Sequence, residues 1–213
     1  MRFDLPRVYP ILDSSYIPAN GRQQFLRDLG AALADAGVTL LEYRNKTGSD
    51  DELRADALIL RDVLPEGQVK LILDDRADLI AELGFDGVHV DAGDVSPAEA
   101  RRIVGPGRIV GTFGGSDTLI PGILDAPVNY WAIGPVYPTT TKDTAKPPIG
   151  HEGVRRLREQ AGPDTLLVAA AGITLGRACL VLDAGADSVA VAAGLFAATD
   201  PAAEFRHWRE RLG

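Results

Sequence analysis

Two basic side chains stand two positions apart in the segment Glu42-Tyr43-Arg44-Asn45-Lys46, directly after an apolar run. Side chains at alternate positions of a strand point to the same side, so Arg44 and Lys46 could grip one anion together. A guanidinium fork and an ammonium group suit a phosphate or pyrophosphate. The same two cations could instead form ion pairs with neighbouring carboxylates, and the residue types alone leave both interpretations open.

Two carboxylates, Asp75 and Asp94, follow two further apolar runs. Hard oxygen ligands at the ends of adjacent strands suit Mg²⁺, which keeps several waters and bridges to substrate phosphates. Each residue also has a simpler explanation, since Asp75 could cap a helix that starts near Arg76 and Asp94 one that starts at Pro97. Capping explains each carboxylate singly, but it explains their occurrence together with the basic pair poorly.

Further anion-binding groups follow the later apolar runs. Thr139, Thr141 and Lys142 lie in a Gly/Pro-rich loop, where hydroxyls and a cation could hold a carboxylate or a phosphate. Gly172 and Gly194 follow the last two runs, where backbone N–H groups of a barrel can bind phosphate at a helix N-terminus. These segments predict a second anion site beside the first.

Acid–base and nucleophilic chemistry receive less support from the sequence. His89 alternates with Val88 and Val90, which favours a strand-end histidine with satisfied hydrogen bonds over a general acid or base. No Ser/His/Asp or Cys/His set stands out. We therefore expect electrostatic chemistry, by anion binding together with a metal ion.

Eight short apolar runs alternate with helical patterns, as is typical of parallel βα units. The predicted strands cover 8–12, 39–43, 70–73, 87–90, 109–112, 130–133, 166–169 and 188–191. The predicted helices cover 23–35, 51–62, 76–83, 97–104, 117–125, 152–160, 176–183 and 202–212, of which the fifth contains Pro121 and is the least regular. Eight units predict a single-domain (β/α)₈ TIM barrel over residues 1–213, with an open doubly wound sheet as the alternative. In such a barrel the polar segments after the strands form the active face.

Composition narrows the possible partners. The net charge of −8 argues against a nucleic acid or an anionic membrane as the partner. No apolar run approaches the roughly 18 residues of a membrane span, and the N-terminus lacks a signal-peptide core, so we expect a cytoplasmic protein. Cys179 is the only cysteine, which excludes an intrachain disulfide.

Taken together, these segments resemble the thiamine phosphate synthase family, over nearly the whole chain and in the family's order. The family's Gln-x-Arg-x-Lys appears at 42–46, its Asn-Asp-Arg-like segment at 74–76, and its Gly-Val-His-Leu-Gly-Gln-x-Asp at 87–94. The most specific match is Gly-Pro-Val-Tyr-Pro-Thr-Thr-Thr-Lys at 134–142, followed by Gly150.

The resemblance implies coupling of hydroxymethylpyrimidine diphosphate with a thiazole or carboxythiazole phosphate, giving thiamine phosphate and pyrophosphate. It implies that Arg44, Lys46 and Lys142 are catalytic and hold the diphosphate, with Mg²⁺ on Asp75 and Asp94. The implied substrate-binding residues are Glu42, Tyr43, Asn45, Asp74, Phe113, Thr139, Thr140, Thr141, Gly172, Ala192 and Ala193. The expected partners are phosphorylated small molecules, and a homodimer is one possible assembly.

Several positions depart from the family pattern. Glu42 replaces a Gln and Asp74 an Asn, which adds two negative charges near a diphosphate, so either these residues bind extra metal or the substrate differs. Phe113 and Ala193 stand where the family has serines, and Gly115 where it has a histidine, so hydroxyl donors are lost from both anion sites. The alternatives are a thiazole tautomerase-like enzyme, which needs an acid–base residue, and a non-catalytic barrel that binds a phosphorylated ligand.

Overall fold

The computed structural model describes residues 3–139 and 146–213. Within these residues the strands close into a parallel barrel, in which each strand pairs with the next and the last pairs with the first. The strands are β1 Val8–Asp13, β2 Leu40–Arg44, β3 Lys70–Asp74, β4 Gly87–Val90, β5 Ile109–Gly115, β6 Tyr130–Ile133, β7 Leu167–Ala170 and β8 Ser188–Val191. The closed order confirms the predicted (β/α)₈ barrel and excludes the open sheet.

The helices follow the strands in turn. They are α1 Arg22–Asp35, α2 Asp50–Val63, α3 Ile80–Leu83, α4 Pro97–Val104, α5 Gly150–Ala161, α6 Leu175–Asp183, α7 Ala193–Phe196 and α8 Pro201–Leu212. The predicted fifth helix is wrong, because segment 117–125 forms only the 3₁₀ turn Ile123–Asp125, and Pro121 cannot donate a helical hydrogen bond. The sequence did not predict α7, a single turn directly after β8. No helix in the described part of the chain is long and apolar enough to cross a membrane.

Local signals account for where the main helices begin and end. Ser49 caps α2 by accepting a hydrogen bond from the Glu52 amide at 3.1 Å, and Ser96 caps α4 through the Glu99 amide at 3.2 Å. Pro97 occupies the first turn of α4, where its missing N–H costs no hydrogen bond. These helices therefore start where the sequence predicts, within one residue.

The strand alternation divides the barrel into two packing layers. Tyr9, Leu40, Ile72 and Tyr130 belong to a buried cluster inside the barrel, while neighbours such as Leu41 belong to the larger cluster between the barrel and its helices. Because side chains alternate along a strand, the next inward-facing residues beyond this inner cluster lie at the carboxyl ends of the strands. Those inward positions carry most of the polar groups described below.

Candidate active site

A cavity of about 530 Å³ lies inside the barrel at the carboxyl ends of the strands. Its lining divides into two chemically different halves. The half from β1 to β4 carries charged and polar side chains: Asp13, Glu42, Arg44, Asp74, His89 and Asp91. The half from β5 to β8 is largely apolar: Phe113, Ala132, Ile133, Val168, Ala170, Ala190 and Val191. The cavity thus suits a ligand with a polar or charged end and an aromatic or apolar body.

Arg44 and Lys46 converge on one carboxylate in the charged half. Nε of Arg44 lies 3.3 Å, and Nζ of Lys46 3.2 Å, from Oδ2 of Asp74. Arg44 also pairs closely with Asp13, and Lys46 with Asp75. The two basic side chains do face the same side, as alternation predicts, and the alternative of carboxylate ion pairs is present as well. An anionic ligand would therefore compete with carboxylates for both cations.

The two carboxyl groups that pair with these cations, those of Asp74 and Asp13, differ in pKa. Burial and the charge of Glu42 raise the pKa of Asp74 to about 7, although His89 and Lys46 oppose the rise. Burial also acts to raise the pKa of Asp13, but hydrogen bonds from Ser15 and the nearby Arg44 outweigh it and lower the value. Asp13 is therefore the permanent counter-ion of Arg44, whereas Asp74 titrates near neutral pH.

Asp75 and Asp94 lie together beside this cluster. Burial raises the pKa of Asp94, and a side-chain hydrogen bond with Asp75 adds to the rise, although the backbone hydrogen bond from Asp91 opposes it. Oδ2 of Asp94 accepts that bond from the Asp91 amide at 2.8 Å, and Ser96 caps α4, so Asp94 is not the helix cap. Oδ1 of Asp75 is buried without a hydrogen-bond partner in the described chain.

This pair of carboxylates fits a hard divalent cation. Two adjacent carboxyl groups, one of which has a buried oxygen without a hydrogen-bond partner in the described chain, are a donor set that Mg²⁺ accepts when substrate oxygens and water complete the shell. Asp75 has a positive φ of 67°, a conformation that Asp tolerates better than most residues. No cluster of three or more metal-ligating side chains occurs among residues 3–139 and 146–213, so a cation on this pair would need substrate oxygens and water as its other ligands.

The predicted second anion site forms one end of the apolar half. Thr139, Gly172, Ala192 and Ala193 all line the cavity there. A Cβ on Gly172, which has a φ of 68°, would lie 2.4 Å from the carbonyl oxygen of Pro138, so only glycine fits. At the start of α7 the Leu195 and Phe196 amides donate to the Ala192 carbonyl at 3.0 and 2.9 Å, which leaves the amides of Ala193 and Gly194 without a partner within the helix. Thr140, Thr141 and Lys142 lie outside the described residues.

Tyr43 and Asn45 do not line the cavity. The Tyr43 hydroxyl donates to Asp56 on α2 at 2.5 Å, and the Asn45 side-chain amide donates to the Tyr43 oxygen at 3.2 Å. Tyr43 points outward because its neighbours in the strand, Glu42 and Arg44, point inward. Strand alternation already contained this information, so the predicted substrate contact of the Tyr43 side chain has no support in the geometry.

Tyr9, Asp91 and Tyr130 line the cavity although the sequence did not mark them as site residues, and His89, expected to be a strand-end histidine with satisfied hydrogen bonds, lines it with them. Tyr9, His89, Asp91 and Tyr130 form a connected polar floor with Glu42, and Nζ of Lys146 lies 4.6 Å from the ring centroid of Phe113. Knowledge of which residues of each strand face the barrel interior would have identified these floor residues. Lys146 follows the residues that the structure does not describe, and no local pattern marks it.

A family profile described as thiamine monophosphate synthase matches residues 8–195. A thiamine-phosphate synthase of Koribacter versatilis is 42% identical over 191 residues, which are 90% of this chain and 89% of the relative. A thiamine-phosphate synthase of Albidiferax ferrireducens is 35% identical over 201 residues, which are 94% of this chain and 89% of the relative. The chain belongs to the thiamine monophosphate synthase family. A solved thiamine phosphate pyrophosphorylase from Pyrococcus furiosus shares the fold, with a TM-score of 0.76 at 23% identity, covering 97% of this chain and 95% of that one.

One departure from the family pattern now has a local physical cause. Gly115, at the position of a family histidine, has a φ of 151°, and a Cβ there would lie 2.2 Å from the carbonyl oxygen of Thr118. The register of β5 against β6 shifts between Phe113 and Gly115. No side chain can therefore enter the cavity from this position, whereas Phe113 contributes a ring to the wall.

Proposed function

We propose that the protein is a thiamine-phosphate synthase, a transferase that joins hydroxymethylpyrimidine diphosphate to a thiazole phosphate with loss of pyrophosphate. Membership of the family supports the reaction class. The observation that carries the assignment to this site is the convergence of Arg44 and Lys46 on Asp74. Arg44 and Asp74 line the charged half of the cavity, and Lys46 lies beside that lining with Asp75 and Asp94.

The basic side chains act on the leaving group. Arg44 and Lys46, with Lys142 as a further predicted contact, would bind the diphosphate oxygens and stabilise the charge that grows on pyrophosphate as the C–O bond breaks. The pyrimidine-methyl carbon is left electron-deficient, and the thiazole nitrogen forms the new bond with its lone pair. Asp13 keeps the Arg44 guanidinium aimed at the charged half, so the donor needs little reorganisation during the reaction.

The carboxylate pair is the proposed metal site. Asp75 and Asp94 would hold Mg²⁺, with Oδ1 of Asp75 as the buried oxygen that lacks a protein partner in the described chain. The ion would supply positive charge to the departing pyrophosphate. Without the ion, the acidic groups here would repel the diphosphate, because the carboxyl groups of Asp13, Asp74, Asp75 and Asp94 outnumber the two basic side chains beside them.

The apolar half is the proposed seat of the second substrate. Thr139, Thr141, Gly172 and the Ala192–Ala193 backbone would hold the thiazole phosphate. Phe113, Val168 and Ala190 line the wall of the cavity, where their apolar side chains would exclude water around the bound substrates. Exclusion of water favours capture of the electron-deficient carbon by the thiazole nitrogen over hydrolysis. We also propose that the protein is cytoplasmic and that residues 1–213 form one domain.

The test measures pyrophosphate release from the two substrates with and without Mg²⁺, and identifies thiamine phosphate by mass. We expect Mg²⁺-dependent product, a loss of at least about a hundredfold in kcat for Asp75→Asn, and near-normal turnover for the exposed control Asp78→Asn. If no product forms while a thiazole phosphate still raises the melting temperature, the barrel binds a phosphorylated ligand without this reaction.

A further inference from the structure

The loops that follow β6 and β7 run side by side at the apolar end of the cavity. The Val136 amide donates to the Ala170 carbonyl at 2.9 Å, and the Tyr137 amide donates to the Ala171 carbonyl at 3.1 Å. The backbone pairing of the two strands therefore continues past their ends. Gly172, whose close approach to the loop after β6 is described above, comes directly after these bonds.

The opposite edge of the same segment is also hydrogen-bonded. The Ile149 amide donates to the Pro135 carbonyl at 2.9 Å. The Gly150 amide, at the start of α5, donates to the Val136 carbonyl at 2.8 Å. The segment is thus held along both edges, and it leads directly into Thr139, which lines the cavity. Any rotation of this segment would displace Thr139.

Arg177 adds a side-chain contact to this backbone frame. It lies in the first turn of α6, the helix that follows the loop after β7. The central carbon of its guanidinium lies 4.7 Å from the centroid of the Tyr137 ring, so the cation rests on the ring and spans the two loops. Arg177 is exposed, yet no carboxylate of the described residues pairs with it. The Tyr137 hydroxyl likewise has no hydrogen-bond partner among those residues.

This contact links a helix to a loop. A cation over the face of an aromatic ring is attracted by the negative charge of that face, and a planar guanidinium can lie flat on it. Because the backbone of Arg177 is fixed by α6, the attraction restrains the ring of Tyr137, and with it the direction in which the chain continues to Thr139. A guanidinium stays charged throughout the working range of pH, so the restraint does not depend on pH.

We propose that Arg177 and Tyr137 form a clamp that holds the loop after β6 against the loop after β7, and thereby sets the affinity for the phosphorylated substrate of the apolar half. The part that concerns the substrate rests on the proposed function, whereas the clamp itself does not. Arg177 is a positioning residue, because it acts through Tyr137 and Thr139 and does not touch the phosphate. The clamp needs the ring of Tyr137 but not its hydroxyl.

The clamp is tested first without substrate, by hydrogen exchange of the Val136 and Tyr137 amides measured by NMR. Arg177→Gln and Tyr137→Leu should each speed exchange of both amides about two- to fivefold, the range that loss of an exposed cation–π contact predicts. Tyr137→Phe keeps the ring and should exchange as the parent does. Arg102→Gln, which removes an exposed ion pair with Glu99, is the matched control and should leave both amides unchanged. Unchanged exchange in Arg177→Gln would overturn the clamp.

The effect on the substrate is tested by a double-mutant cycle that reads the Kd of the thiazole phosphate by titration calorimetry. Arg177→Gln should raise this Kd about two- to fivefold when residue 137 is Tyr or Phe, and should leave it unchanged in the Tyr137→Leu background, because the guanidinium acts through the ring. The KM for the diphosphate should stay within about twofold of the parent value in every variant, since the clamp lies outside the charged half. Additive effects of Arg177→Gln and Tyr137→Leu would mean that Arg177 meets the phosphate directly, and would overturn the positioning role.

Failure of the clamp and failure of the proposed function give different results. If the parent protein does not bind the thiazole phosphate, the proposed function fails at this half of the cavity, while the two amides still report on the clamp. If the thiazole phosphate binds but Arg177→Gln leaves amide exchange unchanged, the clamp fails and the proposed function stands. Should Tyr137→Leu not fold, Arg177→Gln must still speed exchange and Tyr137→Phe must not, and either contrary result would refute the clamp.

Discussion

Nζ of Lys46 lies 3.2 Å from Oδ2 of Asp74, an oxygen that is buried yet accepts no hydrogen bond of good geometry within the described chain. The contact is a charge contact rather than a directed hydrogen bond, which makes it readily replaceable by a better-placed anion. Under the proposed function, Asp74 occupies the place between the two basic side chains where a phosphate oxygen would bind.

Asp74→Asn should therefore strengthen binding of the diphosphate. The amide removes a competing negative charge while keeping the shape of the side chain, so we expect the KM for the diphosphate to fall about three- to tenfold at neutral pH. Steady-state kinetics at saturating thiazole phosphate measure the change. Asp62→Asn, which alters an exposed ion pair with Arg27, is the control. An unchanged or higher KM would contradict the role of Asp74 as a competitor.

The raised pKa of Asp74, about 7, also predicts how stability varies with pH. Because the folded pKa is above the ordinary value of 3.8, the stabilising contribution is complete below that ordinary value and is lost as pH rises towards 7. The stability of Asp74→Asn relative to the parent should therefore increase across this window. Urea unfolding at intervals of pH measures the difference, with the exposed Asp117→Asn as control. A pH-independent difference would refute the prediction.

Asp13→Ala should impair catalysis more than folding. Of its ion pairs in the described chain, Arg44 would keep the one with Asp74, so its guanidinium would be held less firmly towards the charged half of the cavity. We expect kcat/KM to fall about ten- to a hundredfold, a loss of roughly 1.4 to 2.7 kcal/mol in transition-state stabilisation. Asp62→Ala, which removes a surface ion pair, is the matched control and should cost under about 1 kcal/mol in stability. Equal kinetics in both variants would exclude a positioning role for Asp13.

Ala171→Gly should stabilise the protein. Ala171 has a φ of 72°, a left-handed conformation that costs an alanine roughly 1–2 kcal/mol and costs glycine no steric strain. Allowing for the greater freedom of glycine in the unfolded chain, we expect a net gain of about 0.5–1 kcal/mol. Ala170→Gly, one position earlier in β7, should instead lose about 0.5–1 kcal/mol. Chemical denaturation of both variants measures the free energy of unfolding, and a loss of stability at both positions would contradict the prediction.

Gly172→Ala should be far more harmful than Gly176→Ala. A Cβ at Gly172 would lie 2.4 Å from the Pro138 carbonyl and 2.6 Å from the Tyr137 carbonyl, whereas a Cβ at Gly176 meets nothing within 4 Å. We expect Gly172→Ala to lose at least about 2 kcal/mol in stability and Gly176→Ala, within α6, to gain up to about 1 kcal/mol. Thermal unfolding compares them, and similar melting temperatures would contradict the close approach of the two loops.

Local hydrophobic periodicity in the sequence predicted most of the strands and helices. The strand 87–90 and the helix 97–104 have the predicted bounds, because apolar alternation and a Ser-Pro helix start act over a few residues. Two predicted helices differ from the structure. Segment 117–125 forms only a 3₁₀ turn, since a proline in a short segment permits several turn types, and segment 76–83 forms a 3₁₀ turn followed by the short helix α3. The position of Asp75 and Asp94 after their strands also followed from sequence, because parallel strands of a barrel end at one face.

The sequence by itself determined the barrel, the end of it that carries the polar residues, and the family to which the motifs belong. Only the tertiary structure decided which of those residues meet. Tyr9 and Tyr130 are 121 positions apart, yet their hydroxyls lie 2.7 Å from each other on the cavity floor. Such contacts depend on barrel closure and strand register, which are set by the packing of the whole chain, so the partners of Glu42 and the outward turn of Tyr43 emerge only when all the strands are in place.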